Sequence, residues 1–498
     1  MRLALAALAC ASASTLSAVS GAAAAAARPG TILGNFLRSM NESRVQVPLQ
    51  PASAPLAGAS HYRLVPGLFP EGMGFHFDGL ATVMSFRFDA QHLTVTSKRY
   101  ESEAARHYSE CLFEGTGTGP TLGVIPCLTN PGVNLLPLNN QLWLTIDTAF
   151  WGRVNMSTLA TVAGAKVNVS SLVLNAHPAC DPVTGECFVQ YPCSVDLSPL
   201  TNQSCVGRLV WTDTDLAVQE LARATLPEDK LIQHSHSPCV TPHYVVSKLD
   251  SFGARLKPAD AGILEFLHQV EDDQWLVYHR ATGVVRIMVS NGTSFVNNHF
   301  WNCYELPATG AVVIDLVAAT SDYLDAYFEA SLAAPTNWTA LFHAPSRCTV
   351  PVSGTSIACE PFWVAAADAD VIFDYPTFSP LVKMQQYEFF FAIAASSPSA
   401  RWFDRLIKVS AQNRSIVADW ASPGVFLTEA SFIPHADAQA EDDGSLVSVV
   451  YNATADASAL AVFSARSLLL VSWYPLDQVV PFHAHGVTCR SETCYTNP

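Results

Sequence analysis

The sequence is poor in charge. Only 14% of its 498 residues are Asp, Glu, Lys or Arg, and the formal net charge is −16. Nucleic acids select for protein surfaces rich in Lys and Arg, so this composition argues against a nucleic-acid partner. A low charge together with 10% aromatic residues suits an apolar ligand, and it suits a large plain core equally well.

Long apolar runs are missing beyond the N-terminus. After residue 27, no stretch reaches the roughly 18 apolar residues that a membrane-spanning helix needs. The first 27 residues combine one arginine, an apolar run and small residues, which is typical of a secretory signal peptide. We therefore predict a signal peptide over residues 1–27 and a single globular domain over residues 28–498. An uncleaved N-terminal anchor is the less favoured alternative.

Several common catalytic motifs are also absent. The chain contains no Gly-X-Ser-X-Gly elbow, no His-Glu-X-X-His pair and no phosphate-binding loop. A Ser-His-Asp triad is not excluded by sequence, but nothing points to one. The chemistry must therefore be sought in other residues.

Cysteine, in contrast, is abundant. Of 13 cysteines, Cys10 lies in the predicted signal peptide, and an even number remains. In an oxidising compartment an even number favours disulfides, although zinc binding by Cys180, Cys239 and Cys303 is an alternative. Close neighbours suggest the pairs Cys111–Cys127, Cys180–Cys187, Cys193–Cys205, Cys348–Cys359 and Cys489–Cys494, which leaves Cys239 and Cys303.

Asparagine sequons support the same compartment. Eight Asn-X-Ser/Thr sites predict a glycosylated surface, and hence a secreted protein or one in the lumen of the secretory pathway. Delivery to a plastid by a signal-led route is the alternative. The sites are Asn41, Asn155, Asn168, Asn202, Asn291, Asn337, Asn413 and Asn452.

Short apolar strands separated by turns make up most of the chain. This pattern predicts an all-β sandwich, barrel or propeller. The clearest predicted strands are Ala81–Phe88, Leu142–Ala149, Tyr244–Leu249, Gln274–His279, Val284–Ser290, Ala311–Val317, Tyr387–Ala394, Ser445–Tyr451 and Ala459–Ser464. Helical patterns are fewer, and they predict helices over Asp213–Ala224, Ala261–Val270 and Ser321–Ala333.

Four histidines stand in short distinctive stretches far apart in the chain. Neutral imidazoles without thiolates suit iron, copper, zinc or nickel. Ligands so far apart need a fold that brings several segments to one axis. The stretches are Ala-His-Pro-Ala-Cys-Asp-Pro around His177, His-Ser-Pro-Cys-Val-Thr-Pro from His236, His-Phe-Trp-Asn-Cys-Tyr-Glu from His299, and Pro-Phe-His-Ala-His-Gly around His485.

Each histidine taken alone is more often a core or surface residue than a metal ligand. The neighbouring His234, His243 and His483 are interpreted in that way. The four stretches gain weight from their number and their order along the chain.

Together these stretches resemble the carotenoid oxygenase family, which includes the carotenoid cleavage dioxygenases and the retinal pigment epithelium isomerohydrolase. The resemblance extends from about Tyr62 to Gly486. The segments Pro66-Gly67 and Phe77-Asp78-Gly79 near the start, and Glu429 with Phe432-Ile433-Pro434 near the end, also look like family segments.

The resemblance implies an all-β, seven-bladed β-propeller with a small helical cap over an axial metal site. His177, His236, His299 and His485 would bind one Fe(II). Three carboxylates, those of Asp147, Asp374 and Glu429, would orient three of the histidines, as carboxylates commonly do for ligating imidazoles. Alternatively, Asp147 and Asp374 cap turns or accept backbone N–H groups.

The implied activity is Fe(II)-dependent cleavage of a conjugated C=C bond of a carotenoid or apocarotenoid by O₂, giving carbonyl products. An apolar polyene would be the substrate, and peripheral membrane contact would help to extract it. Polyene isomerisation or stilbene cleavage is possible on the same fold. A different class is a propeller that binds or carries a polyene or retinoid without cleaving it.

Some positions depart from the family pattern. Aspartate stands at 147 and 374 where the family usually has glutamate, Phe300 replaces a second histidine, and His483 is additional. These departures bear on activity more than on fold. Several aromatic residues have two interpretations, as the lining of a polyene tunnel or as ordinary core: Phe77, Trp143, Phe150, Trp151, Phe300, Trp301 and Phe389–Phe391.

Overall fold

The structure is a computed structural model, and β-strands dominate it. It describes residues 38–69, 79–106, 129–162, 167–171, 173–193, 202–211, 215–226, 235–249, 252–256, 264–268, 274–291, 295–319, 345–397, 400, 402–491 and 493–496. The predicted signal peptide, the Cys111–Cys127 pair, His234, Phe77 and Asn337 lie outside these residues.

The strands of the described residues form seven blades. Blade 1 begins with β1 (Ser43–Pro48), β2 (Ala59–Leu68), β3 (Leu80–Phe88) and β4 (His92–Arg99). Blade 2 contains β5 (Asn134–Leu138), β6 (Gln141–Thr145) and β7 (Gly152–Asn155). Blade 3 contains β8 (Val167–Asn168), β9 (Ala179–Cys180), β10 (Cys187–Pro192), β11 (Gln203–Trp211) and β12 (Leu216–Thr225).

Blades 4 and 5 follow in the chain. Blade 4 has β13 (Cys239–Val240) and β14 (Tyr244–Leu249), then a separate hairpin of β15 (Phe252–Leu256) and β16 (Leu264–His268), then β17 (Gln274–His279) and β18 (Val285–Asn291). Blade 5 has β19 (Val296–Glu305), β20 (Val312–Ala319), β21 (Ser346–Val350) and β22 (Ser356–Pro361). A parallel pairing of β18 with β22 joins the two blades into one eight-stranded sheet.

The last two blades and the ring closure complete the order. Blade 6 has β23 (Phe373–Thr377), β24 (Phe389–Ala394), β25 (Arg405–Ser410) and β26 (Ser415–Ala421). Blade 7 has β27 (Val425–Leu427), β28 (Ser431–Pro434), β29 (Gly444–Asn452), β30 (Ala457–Ser464) and β31 (Leu470–Pro475). Strands β32 (Gly486–Arg490) and β33 (Thr493–Thr496) return to blade 1, where β32 pairs with β2.

The burial pattern explains why these segments form strands. In β4, buried Leu93, Val95 and Ser97 alternate with more exposed residues, as expected for a strand with one covered face. In β20 every side chain is buried, because neighbouring blades cover both of its faces. Each of the nine strands predicted from sequence overlaps an observed strand. In the predicted strand Leu142–Ala149, the observed strand β6 ends at Thr145, and Thr148 makes an isolated bridge with Val173.

The helix predictions do not hold where the structure describes them. The helix Asp213–Ala224 was predicted from a plausible aspartate N-cap, but Leu216–Thr225 form β12 and pair along β11. Non-local pairing overrides the local helical preference there. The prediction for Ala261–Val270 is also wrong over Leu264–His268, which pair with Phe252–Leu256.

A helical cap is not observed among the described residues. Their one α-helix is the single turn Glu103–Arg106, and the 3₁₀ helices are Pro51–Leu56 and Pro380–Val382. The predicted helix Ser321–Ala333 lies outside the described residues. The described part of the chain contains no helix that is long and apolar enough to cross a bilayer.

Five disulfides are present in the described residues, and they correct the zinc alternative. They join Cys180–Cys187, Cys193–Cys205, Cys239–Cys303, Cys348–Cys359 and Cys489–Cys494. Four were suggested by sequence proximity, and the fifth joins the two cysteines that were left over. This number of disulfides suggests an oxidising compartment.

Large aromatic residues fill the spaces within and between the blades. Trp301, Phe390 and Phe391 belong to the largest buried cluster, and Trp143 and Trp151 belong to the cluster of blades 2 and 3. These residues therefore support the core interpretation rather than the tunnel interpretation. A buried hydrogen-bond network adds to the packing: Trp301 donates to Tyr387, which donates to Asp315, and Arg347 pairs with Asp315.

Candidate metal centre

The four predicted histidines meet at one point. One nitrogen from each of His177, His236, His299 and His485 lies within 4.8 Å of the others. The ring centroids of His177 and His485 are 4.4 Å apart, and those of His177 and His236 are 4.5 Å apart. Such a cluster of imidazoles is a candidate site for one metal ion.

Chain direction explains how blades 3, 4 and 1 deliver three of these histidines. His177 precedes β9, His236 precedes β13 and His485 directly precedes β32. Each therefore stands where the chain enters a strand; β9 and β13 are edge strands of their sheets, and β32 lies between β2 and β33. The short strands β9 and β13 leave the preceding residues free of ladder pairing, so that their side chains can turn towards the centre.

The fourth histidine is placed by an irregular strand. His299 lies within β19, whose pairing with β20 shifts register between Asn297 and His299 and again between Phe300 and Asn302. A β-bulge re-aims side chains next to a site. These two shifts flank His299, whose side chain is only 4% exposed.

Asp374 contacts His299 directly. Its Oδ1 lies 2.7 Å from Nδ1 of His299, and the Asp374 side chain is 1% exposed. The pairing of β23 with β24 shifts register between Asp374 and Thr377, and Tyr375 has a positive φ of 52°. The backbone is therefore irregular where the shorter aspartate reaches the imidazole.

Glu429 contacts His485 and is itself held by a buried arginine. Its Oε1 is 3.1 Å from Nδ1 of His485, and its Oε2 accepts hydrogen bonds from Gly486 N at 2.7 Å and Arg63 Nη1 at 3.0 Å. Arg63 also donates to the carbonyls of Glu429 and Ala484. Burial lowers the pKa of Arg63 to about 10, against the opposing effect of Glu429.

Asp147 has the loosest of the three contacts. Its Oδ2 is 3.7 Å from Nδ1 of His236, which is beyond hydrogen-bond distance. Its Oδ1 accepts the backbone N–H of Ala176 at 3.0 Å, beside His177. The carboxylate therefore does what the alternative interpretation expected, namely bind a backbone N–H, while it also lies near a histidine.

Sequence reasoning missed the partner of His177. Asn134 Nδ2 lies 3.1 Å from Nδ1 of His177, and Asn175 Nδ2 donates to the His177 carbonyl at 2.7 Å. Asn134 begins β5 in blade 2, far from the motif in sequence. Arg63 was missed as well. Nothing in the sequence near Arg63 indicates that it is buried and pairs with Glu429, which is 366 positions away.

The remaining departures from the family pattern do not enter the cluster. Phe300 stacks on Trp275 within the core, with ring centroids 5.9 Å apart and an interplanar angle of 2°. His483 Nδ1 is 2.8 Å from the carbonyl of Pro481. His243 is mostly exposed and contacts Glu305. His243 and His483 are thus ordinary neighbours, as predicted, and Phe300 follows the core interpretation.

The electrostatics of the cluster suit a cation that binds neutral nitrogens. Burial lowers the pKa of His177 well below the usual value of 6.5, and the nearby imidazoles of His485, His236 and His299 lower it further. Burial and nearby His299 likewise lower the pKa of His485. In the described structure, Nε2 of His177 and of His299 is buried without a hydrogen-bond partner. Orphaned buried nitrogens need an explanation, and a shared metal ion provides one.

The architecture and the cluster define a class: a β-propeller with four histidines on its axis. Residues 54–487 match the family model described as retinal pigment epithelial membrane protein. The apocarotenoid-15,15'-oxygenase of Synechocystis sp. is 23% identical over 465 residues, which cover 85% of this chain and 89% of that relative.

Solved structures agree on the fold. The lignostilbene dioxygenase of Pseudomonas brassicacearum aligns with a TM-score of 0.72 and 18% identity, covering 92% of this chain and 98% of the other. Cobalt-substituted Synechocystis apocarotenoid oxygenase aligns with a TM-score of 0.73 and 18% identity, covering 93% and 99%. The chain belongs to the retinal pigment epithelial membrane protein family, and thus to the carotenoid oxygenases.

Stability of the metal-free protein should depend on pH through His177. The unfolded chain gains a proton as pH falls through about 6.5, whereas folded His177, with its lowered pKa, does not. The contribution of neutral His177 to the free energy of unfolding is therefore complete above about pH 6.5 and is lost as the pH falls below that value. Between about pH 7 and pH 5, the urea concentration at the unfolding midpoint should therefore decrease more for the wild type than for His177→Gln.

The surface variant His92→Gln serves as the control, because His92 is exposed on blade 1. It should lose as much stability on acidification as the wild type does. Equal losses in the wild type and His177→Gln would contradict the lowered pKa.

Proposed function

We propose that this protein is an Fe(II)-dependent dioxygenase that cleaves a conjugated C=C bond of a carotenoid or apocarotenoid. The observation that carries the proposal is the convergence of four histidines, two of them with orphaned Nε2 atoms. The Synechocystis relative is an apocarotenoid oxygenase, which supports the substrate class. His177, His236, His299 and His485 would hold the iron, and bound Fe(II) would supply the activation of O₂.

The chain's own residues would prepare the site in three ways. The imidazoles of His177 and His485 stay neutral because burial lowers their pKa values, so neither must lose a proton when a cation binds. Asp374, Glu429 and Asn134 contact Nδ1 of three histidines and leave Nε2 directed at the centre. Asp147 would act similarly on His236 at a longer distance.

The net reaction would break the C=C bond and place one oxygen atom of O₂ on each carbon. Isomerisation of a polyene and cleavage of a stilbene remain alternatives on this fold, and one solved neighbour is a lignostilbene dioxygenase. A carrier without turnover is favoured by one observation, the 3.7 Å separation of Asp147 and His236. Phe300 no longer favours it, since that ring lies in the core.

We also propose that the protein matures in the lumen of the secretory pathway or is secreted. The disulfides and the exposed sequon residues Asn41, Asn168 and Asn413 support this route. A mass decrease on enzymatic removal of N-linked glycans would support it, and an unchanged mass would contradict it. Delivery to a plastid and peripheral membrane contact stay predictions.

Metal binding should follow the contacts at the site. Anaerobic titration of metal-free protein with Fe(II) should give one iron per wild-type chain. His299→Ala should bind iron more than about 100-fold more weakly, because it loses a ligand, and Asp374→Asn about 10- to 100-fold more weakly, because it loses only orientation. His92→Ala should match the wild type. Full iron binding by His299→Ala would contradict the assignment.

Turnover should distinguish the activities. With an apocarotenoid as substrate, the iron-loaded protein should consume one O₂ per cleaved bond, and ¹⁸O₂ should label both carbonyl products. An isomerised product formed without O₂ consumption would show that the activity is isomerisation and not cleavage. Bound polyene that persists unchanged in the iron-loaded protein would support the carrier. A parallel assay with a hydroxylated stilbene would reveal the stilbene-cleaving alternative.

A further inference from the structure

One disulfide differs from the other four in what it joins. Cys180–Cys187, Cys348–Cys359 and Cys489–Cys494 are directly paired residues on adjacent strands of one blade, and Cys193–Cys205 also lies within blade 3. Cys239–Cys303 instead joins β13 of blade 4 to β19 of blade 5, across 64 positions. Among the described residues it is the one covalent link between two blades.

The two linked strands are the ends of the eight-stranded sheet. Their order runs from β13 through the parallel β18–β22 contact to β19. The sheet therefore bends back on itself, so that its two edge strands lie side by side. No backbone ladder connects β13 to β19 in the described structure. Side chains must hold this edge together.

Several side-chain contacts do so, including the contact of His243 with Glu305, and we call three others the blade 4–5 seam. The hydroxyl of Ser237 accepts from the backbone N–H of Phe300 at 3.3 Å, the Cys239–Cys303 disulfide follows, and Thr241 donates to Glu305 at 2.6 Å. Residues 237, 239 and 241 are spaced by two, so they point the same way along an extended chain. The first contact lies beside His236 and His299, and the disulfide is the next.

His236 is the most exposed of the four candidate ligands. Its side chain is 19% exposed, against 4% for His299 and 3% for His485. Strand β13 has only two residues and pairs with β14 alone. Its carboxylate neighbour Asp147 is 3.7 Å away, whereas Asp374 is 2.7 Å from His299.

We propose that the Cys239–Cys303 disulfide is a positioning element of the metal site, which holds His236 at ligating distance from His299. This inference rests on the proposed function. The crosslink would restrict the arrangements open to β13 before any metal arrives, so that less ordering opposes binding. Both cysteines are buried, at 3% and 7% exposure, which is consistent with a permanent link.

The test compares two double variants. Cys239→Ala/Cys303→Ala removes the seam disulfide, and Cys348→Ala/Cys359→Ala removes one from the outer strands of blade 5 as the matched control. Fe(II) affinity is measured anaerobically, and the visible ligand-field spectrum of bound Co(II) reports geometry. Both variants should melt at lower temperature. Only the first should bind Fe(II) about 10- to 100-fold more weakly and change the Co(II) spectrum.

Two further variants separate positioning from general loss of stability. Ser237→Ala weakens the same seam with every disulfide intact, and it should lower Fe(II) affinity roughly two- to tenfold, as expected for one hydrogen bond. This variant keeps the test decisive if the double variant does not fold. Asp147→Glu in the Cys239→Ala/Cys303→Ala background adds one methylene towards His236 and should restore part of the lost affinity.

The outcomes distinguish this inference from the proposed function. If the wild type binds one iron and both double variants bind it equally well, the positioning role is wrong and the proposed function stands. Loss of affinity without recovery by Asp147→Glu would overturn the link to His236. If the wild type binds neither Fe(II) nor Co(II), the proposed function fails, and this inference fails with it.

Discussion

The structure depends on one constraint: four imidazoles from four different blades must point at a single centre inside a low-dielectric core. Three of the imidazoles, those of His177, His299 and His485, are held through Nδ1, which leaves Nε2 available. Asp374, Glu429 and Asn134 provide such contacts, and Arg63 holds Glu429 in turn. The irregular strands near the axis follow from the same constraint, since a regular ladder would fix side-chain direction by pleat alone.

Sequence patterns predicted much of this arrangement. Alternating apolar residues are a local signal, so the strands were accessible, and the motifs around the four histidines identified the cluster. What failed was non-local. Residues 216–225 have helical composition, yet the ladder with β11 decides their structure. The contacts of Asn134 with His177 and of Arg63 with Glu429 could not be predicted, because they depend on which distant residues fold against them.

The substitution of aspartate for glutamate has two different outcomes within one site. At Asp374, a register shift accompanies direct contact with His299 at 2.7 Å. At Asp147, the carboxylate bonds the backbone of Ala176 and stays 3.7 Å from His236. The same substitution therefore has different effects at the two positions, because the local backbone determines how far the shorter aspartate side chain can reach.

Ring closure has a consequence for the order of events during synthesis. His485 is the last of the four histidines in the chain, and β32, which starts at the next residue, pairs with β2 in blade 1. A nascent chain that ends before His485 has an open ring and at most three of the four imidazoles. The four-histidine cluster is therefore complete only when the last segment of the chain has returned to the first blade.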